Sequence, residues 1–261
     1  EFVAINRMNE KPNMVPISPV CDLSTPRGRS LCVRYSLNIA RVLVSLQDKY
    51  PEGSLVRLGD KVVTPNSTVN IFGEFVIKRT NKHSGDVLKD LYGLIEQSRP
   101  PGLISSQQGV KLSSNALTVR LVPVGFCGKL PGSLTEIRAA GRQILEGLQW
   151  LHGHGWVHRD IRPQNILFAD GRWYLMDLEW ANKIDSPIGT YNLQHQYCPP
   201  EVAWGEDQIW TAASDMWQFG KLVGFWNTNV ACDSYVHVQT SERPEDRLTA
   251  ADSLQHELFA T

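Results

Sequence analysis

The stretch His158-Arg159-Asp160-Ile161-Arg162-Pro163-Gln164-Asn165 runs into the apolar segment Ile166-Leu167-Phe168, a turn at Asp170-Gly171, and then Trp173-Tyr174-Leu175-Met176-Asp177. Two short apolar runs around an Asp-Gly pair predict a hairpin. A loop bearing an acid and an amide therefore precedes the hairpin, and a second acid closes its far strand. Few arrangements gather three oxygen-bearing side chains in so little sequence. Taken alone, Asp160, Asn165 and Asp177 read equally well as turn and cap residues. Taken together they are what phosphoryl transfer from a Mg-nucleotide needs: a carboxylate to accept the proton of the attacking hydroxyl, and an amide plus a second carboxylate to hold the metal.

The chain around this segment divides into unlike parts. Residues 1 to 30 carry Pro12, Pro16, Pro19, Pro26 and Gly28 with no apolar period, which predicts an extended arm. From Tyr35 to Tyr50, the residues Leu37, Ala40, Leu43, Val44 and Leu46 share one helical face, and Pro51-Glu52-Gly53 ends it. Short β-rich runs follow at Ser54 to Leu58, Lys61 to Thr64, Thr68 to Phe72 and Phe75 to Arg79, predicting a small antiparallel sheet. Ser84 to Gln97 is helical by the spacing of Val87, Leu88, Leu91, Leu94 and Ile95, and Leu117 to Val124 alternates as a strand. Gly125 to Gly132 reads as a hinge. Beyond it the periodicity becomes helical, opening with the capping box Ser133-Leu134-Thr135-Glu136 and continuing at Ser214 to Trp226 and Thr249 to Phe259. The expected fold class is α+β: an arm over 1-30, a small antiparallel β lobe with an extra N-terminal helix over 31-128, and a mostly helical large lobe over 129-261.

Composition narrows the partners. With 26 Lys plus Arg against 27 Asp plus Glu, and 42% hydrophobic residues, the 261 residues can bury a core and offer no broad basic footprint. No nucleic-acid partner is expected. The longest apolar stretches, such as Leu37 to Leu46, are interrupted by polar residues, so no membrane span is expected either. The cysteines Cys21, Cys32, Cys127, Cys198 and Cys232 are odd in number and widely spaced, without a C-x-x-C pair. They point to a reducing, intracellular setting, cytoplasm or nucleus. The start at Glu1-Phe2, without Met or a signal pattern, reads as a trimmed or partial chain.

At this point a resemblance enters. HRDIRPQN resembles the catalytic loop of eukaryotic-type protein kinases, and Asp177-Leu178-Glu179 stands where that family has Asp-Phe-Gly. The spacing agrees as well, with Asn165 five residues after Asp160 and Asp177 twelve after Asn165. Pro199-Pro200-Glu201 resembles Ala-Pro-Glu. Asp215 resembles the acid whose helix braces the catalytic loop, and Arg247 the arginine that pairs with the Glu of Ala-Pro-Glu, here Glu201. Val76-Ile77-Lys78 is similar to the strand whose lysine contacts nucleotide phosphates. Glu96, eighteen residues on, is then the candidate ion-pair partner of Lys78, with Asp90 competing. The resemblance implies a two-lobed protein-kinase-like fold and an ATP- and Mg-dependent transfer to Ser or Thr of a protein by a monomer. In it Asp160 is the catalytic base, Arg162 neutralises the transferred group where the family usually has Lys, Asn165 and Asp177 hold Mg, and Lys78 anchors the phosphates. His158 is implied to be a packing residue.

The sequence also departs from that family. No G-x-G-x-x-G occurs between Ser54 and Gly73, so the backbone cannot cover phosphates in the usual way. Glu179 replaces a glycine and adds charge near the metal. Trp226 to Arg243 is short. Short, divergent kinase domains of this kind resemble those of fungi and oomycetes, including crinkler-type effectors, which would add a secreted route. Ser186 and Gly189-Thr190-Tyr191 fall in the activation segment as phosphate acceptors or ordinary loop residues. Asp177-Leu178-Glu179-Trp180-Ala181 is also similar to aminoglycoside and choline phosphotransferases, and a pseudokinase scaffold is the reading from a different class. Arg159, Glu201 and Asp215 oppose the former, and retention of Asp160, Asn165 and Asp177 opposes the latter.

Overall fold

The computed structural model describes residues 3–6, 13–16, 21–47, 61–63, 67–81, 85–113, 116–187, 197–204, 209–226 and 232–260. The run Ser54 to Leu58 and the segment Gly189-Thr190-Tyr191 lie outside the described residues. The chain forms two compact units, Glu1–Leu58 and Gly59–Thr261.

In the first unit, β1 (Val3–Asn6) pairs antiparallel with β2 (Asn13–Pro16), and α1 spans Pro26–Gln47. The expected extended arm over 1-30 holds this strand pair and, from Pro26, the first turn of a helix that starts nine residues before Tyr35. The signal was local: Thr25 Oγ1 accepts the amide of Gly28 at 3.0 Å, and Pro26 supplies a preset φ at the first helical position. Gly28, read above as a breaker, is needed in that turn, because a Cβ there would lie 1.7 Å from the Asp22 carbonyl oxygen. The helix belongs with the strands before it rather than with the sheet after it.

The second unit opens with β3 (Lys61–Val63), β4 (Ser67–Ile71) and β5 (Val76–Asn81), then α2 (Gly85–Ser98), β6 (Ser105–Leu112) and β7 (Ala116–Val122). These strands make one antiparallel five-stranded sheet in the order β3-β4-β5-β7-β6. β5 is interior, with Lys78 opposite Val69 on one side and Val119 on the other. β6 carries no clear alternation in Ser-Ser-Gln-Gln-Gly-Val-Lys-Leu and was not expected. Its register shifts between Gln107 and Val110, where Gln108 (φ 65°) and Gly109 (φ 66°) take left-handed backbone.

After β8 (Phe126–Cys127), α3 (Leu134–Gly153) begins on its expected cap: the Glu136 amide donates to Ser133 Oγ at 3.2 Å. The return arm lands one residue early, with Glu136 Oε2 accepting from the Gly132 amide at 2.6 Å. Next come β9 (Trp156–Val157), the hairpin β10 (Ile166–Ala169) and β11 (Arg172–Leu175), β12 (Asn182–Lys183) and β13 (Ser186–Pro187). The end of the chain holds α4 (Pro200–Trp204), β14 (Ile209–Trp210), α5 (Ala212–Trp226), α6 (Asp233–Gln239) and α7 (Ala250–Gln255). One apolar cluster runs from Leu91 and Ile95 of α2 through Leu103, Ile144 and Leu148 to Leu175 and Phe219, so sheet and helices share a core. The sheet side is tied to the hairpin where the Ile104 amide donates to the Leu175 carbonyl at 3.0 Å and the Leu175 amide to the Gly102 carbonyl at 2.7 Å. That clamp sets where Asp177 meets β5. Among the described residues, no helix is long and apolar enough to cross a membrane.

Candidate active site

The loop between β9 and β10 is held from inside. Asp215, fully buried on α5, accepts the His158 amide on Oδ2 at 2.7 Å and the Arg159 amide on Oδ1 at 2.9 Å. Trp210 Nε1 donates to Oδ1 at 2.9 Å, and His152 Nε2 lies 3.0 Å from Oδ2. Burial alone would raise the Asp215 carboxyl, but the His152 contact and the His158 amide outweigh it and hold it below its ordinary value. Three residues along the same helix face, Gln218 accepts the Ile161 amide at 2.8 Å and donates to the Arg159 and Tyr197 carbonyls at 3.2 and 2.8 Å. The loop is thus fixed by side chains that replace the ladder bonds its backbone lacks.

Within that frame Asp160 is 4% exposed and both its oxygens are met. Asn165 Nδ2 donates to Oδ2 at 2.6 Å and to the Asp160 carbonyl at 2.8 Å. Arg162 Nε stands 3.1 Å from Oδ1, at ion-pair distance though its N–H is not aligned on that oxygen. The Met176 amide donates to the Asn165 carbonyl at 2.9 Å, which brings the residue before Asp177 against the loop. His158 is buried, with Nε2 3.0 Å from the Met176 carbonyl. Its burial outweighs nearby Asp215, Asp160 and Asp177 and lowers its pKa, so it stays neutral as a packing residue would. Arg159 (φ 71°) and Asp177 (φ 67°) both sit in left-handed backbone, a cost seen mostly where a site is held in place by its surroundings. Arg159 donates to the Ser186 hydroxyl at 2.7 Å and to the Ser186 and Pro187 carbonyls at 2.6 and 3.3 Å.

The lysine of β5 reaches the same place. Lys78 Nζ lies 2.8 Å from Asp177 Oδ1 and 2.6 Å from Glu179 Oε1. Burial would lower the Lys78 pKa, but the two carboxylates prevail and the net shift is upward, so Lys78 is held as a cation. Glu96 does not join it. Its Oε2 accepts the Gly109 amide at 2.8 Å, at the bulge of β6. The expected pairing of Lys78 with Glu96 is therefore corrected, and with it the place of Glu96 among the cofactor-binding residues. Asp90 is exposed on α2 and gives no alternative. The physical reason is that the bulge turns a backbone N–H outward that the helix glutamate caps, whereas Glu179 reaches Lys78 directly. Thr80, two residues from Lys78 on β5, donates to Glu179 Oε1 at 2.7 Å.

The structure thus brings together Lys78 and Asp177, and Asp160, Arg162 and Asn165. Sequence reasoning missed Gln218, His152, Trp210 and Thr80. Gln218 and Thr80 left a trace, the first at helical spacing from Asp215 and the second at strand spacing from Lys78. The expected pair of Glu201 with Arg247 is present and bidentate, with Arg247 Nη1 2.7 Å from Oε1 and Nη2 2.8 Å from Oε2. Burial pushes the Glu201 carboxyl up, yet the Arg247 hydrogen bonds and charge leave it lowered.

Residues 128–229 match the family model described as protein kinase domain. A cyclin-dependent kinase F-3 of Oryza sativa subsp. japonica is 37% identical over 90 residues, which is 34% of this chain and 21% of that protein. Crinkler effector protein 8 of Phytophthora infestans is 28% identical over 183 residues, covering 66% of this chain and 30% of that one. Among solved structures, Rad53 residues 1-466, crystallised in complex with AMP-PNP, superposes with a TM-score of 0.62 at 18% identity, over 77% of this chain and 65% of that one. That likeness shows a protein kinase fold, α+β with an antiparallel sheet. The chain spans about a fifth to a third of the length of the two curated relatives.

Proposed function

We propose, on the premise that this chain carries a short and divergent protein kinase domain, that it transfers the terminal phosphoryl group of ATP to Ser or Thr hydroxyls of a protein. One observation carries the reading: Asp160, in contact with both Asn165 and Arg162, lies in a loop that also receives the Met176 amide, beside the Asp177 that meets Lys78.

Asp160 accepts the proton of the acceptor hydroxyl as its oxygen bonds to phosphorus and the bond to the departing ADP oxygen breaks. Asn165 orients Asp160 by donating its amide N–H to Oδ2, which turns the Asn165 side-chain oxygen toward other use. Asp177, with its side chain 27% exposed, offers a second hard oxygen. This donor set fits Mg²⁺, and Asn165 and Asp177 are the residues that would hold it. When bound, the metal would neutralise charge on the nucleotide phosphates. Lys78 supplies a fixed cation for the phosphates. Arg162, always charged and 3.1 Å from Asp160, stands beside the reacting hydroxyl where charge builds up. Choice of Ser or Thr rests on the resemblance of the loop His158 to Asn165 to that of eukaryotic-type protein kinases. A reducing intracellular setting, by a secreted route if the crinkler likeness extends that far, and action as a monomer complete the proposal.

Incubation with Mg and labelled ATP, offered generic protein acceptors and in parallel aminoglycosides or choline, tests it, with Asp160→Asn as control. Label on protein that disappears in the variant supports the reading. Label on the small molecules alone replaces it with the phosphotransferase reading, and no transfer at all with the scaffold reading.

A further inference from the structure

We propose that Glu179, rather than a glutamate of α2, is the positioning residue that holds Lys78 for the nucleotide. The inference deepens the kinase reading above and rests on it for its functional meaning.

The first argument is occupancy. Glu179 Oε1 is 2.6 Å from Lys78 Nζ, and the same oxygen accepts the Thr80 hydroxyl at 2.7 Å. Lys78 and Thr80 are two apart on β5, so they stand on one face of the strand and grip one carboxylate between them. Of the two α2 carboxylates at family-like spacing, Glu96 is spent on Gly109 and Asp90 is exposed. The second argument is rigidity. Glu179 lies in a single 3₁₀ turn, Leu178–Trp180, whose first residue Leu178 is fully buried and whose closing bond runs from the Ala181 amide to the Leu178 carbonyl at 3.0 Å. A glycine at this position, as in Asp-Phe-Gly, could supply neither the carboxylate nor the restraint.

The third argument is division of labour. Lys78 has two carboxylate neighbours, and under the proposed function Asp177 is needed by the metal. Glu179 then remains as the carboxylate that aims the Lys78 ammonium, 2.6 Å from it. The anchor is in this way carried by the strand-to-turn segment that also bears Asp177, and no carboxylate of α2 is needed for it.

The test compares Glu179→Gln, Glu179→Asp, Thr80→Val and Glu96→Gln in the full chain, with two readouts. Steady-state kinetics with Mg-ATP should show Glu179→Gln losing roughly 10- to 100-fold in kcat/KM for ATP, the size expected when a catalytic cation is misplaced by about 1 Å. Glu179→Asp should recover part of that loss and Thr80→Val should lose about threefold, while Glu96→Gln stays within about twofold of wild type. Acetylation of Lys78 at one fixed pH, read by mass spectrometry, reports how firmly its ammonium is held without any catalysis. Lys78 should be acetylated faster in Glu179→Gln and at the wild-type rate in Glu96→Gln, because only the former loses the 2.6 Å contact. Glu179→Asp keeps the readouts usable if the Gln variant folds poorly. An unchanged Lys78 acetylation rate in both Glu179 variants, or a loss on Glu96→Gln that exceeds theirs, overturns the proposal. A wild-type chain that transfers no phosphate while Lys78 still responds only to Glu179 sinks the kinase reading and leaves the Lys78 anchor standing.

Discussion

The catalytic loop and the lysine strand meet at one site but are built on opposite terms. The loop is braced from the core, by Asp215 and Gln218 of α5, both fully buried and both bonded to backbone groups of the loop. The lysine is braced from the site itself, by carboxylates of the segment that follows β11. A loop held from behind keeps its shape whether or not a substrate is present. Under the proposed function, a lysine held from in front would exchange partners when the nucleotide arrives. Mutations on the two sides should therefore separate stability from activity.

The sharpest way to separate them is Asp160→Asn, which removes the base but keeps an oxygen for Asn165 or Arg162. Phosphoryl transfer should fall by roughly 10²- to 10⁴-fold with the thermal midpoint nearly unchanged. A retained rate in the labelled-ATP assay would remove Asp160 from the mechanism.

Arg247→Ala acts on the other side of the comparison. Arg247 is fully buried and bidentate to Glu201, whose remaining contact is the Ser214 hydroxyl at 2.8 Å. Leaving that carboxylate unpaired should cost on the order of 3 to 5 kcal/mol in denaturant unfolding, and the folded fraction should keep its affinity for Mg-ATP. A shift below about 1 kcal/mol would mean that the pair is screened like a surface one.

Gln218→Ala deletes two loop contacts and one to the Tyr197 carbonyl without touching the reacting groups. The Ile161 amide and the Arg159 carbonyl would lose their partners, a destabilisation of about 1 to 3 kcal/mol by the same unfolding measurement. Activity should drop only as far as the loop loosens, so a loss larger than that of Asp160→Asn would break the distinction between bracing and chemistry.

The smallest effect is on pH. His158 has a folded pKa below its ordinary 6.5, so the unfolded chain binds more protons as pH falls past that value, and stability present above 6.5 is lost on acidification. Glu201 and Asp215 are lowered below 4.5 and 3.8, so their contributions persist above those values and disappear as pH falls through the folded ones. The thermal midpoint should be level above about 6.5, decline gently below it and steeply under about 4.5, by at most about 1.4 kcal/mol per pH unit for each proton. A midpoint that rises between pH 6.5 and 5 would contradict the buried neutral His158.

How far these terms were visible beforehand differed by element. The capping box at Ser133, the α2 periodicity and the Asp160 to Asn165 interval are local patterns, each decided within one or two turns of chain, and each is found where its spacing put it. The helix from Pro26 was misjudged because Gly28 and the prolines look like breakers until the contact of Gly28 with Asp22 is seen. β6 was missed because Gln108 and Gly109 interrupt its alternation, and that bulge in turn withdrew Glu96 from Lys78.

The order and spacing of acids, amides and cations were thus legible in the sequence: the loop pattern of Asp160 and Asn165, the strand that bears Lys78, and, through the family resemblance, the pairing of Glu201 with Arg247 across 46 residues. Which carboxylate Lys78 meets was decided only by tertiary structure. Strand spacing places Lys78 and Thr80 on one face without saying what lies beyond it. The answer depends on the clamp of Gly102 and Ile104 to Leu175 and on where the β6 bulge turns its free N–H. An ion pair falls off within a few ångströms, so shifts of that size in how the segments dock choose between Glu96 and Glu179 while leaving every local pattern in the chain unchanged.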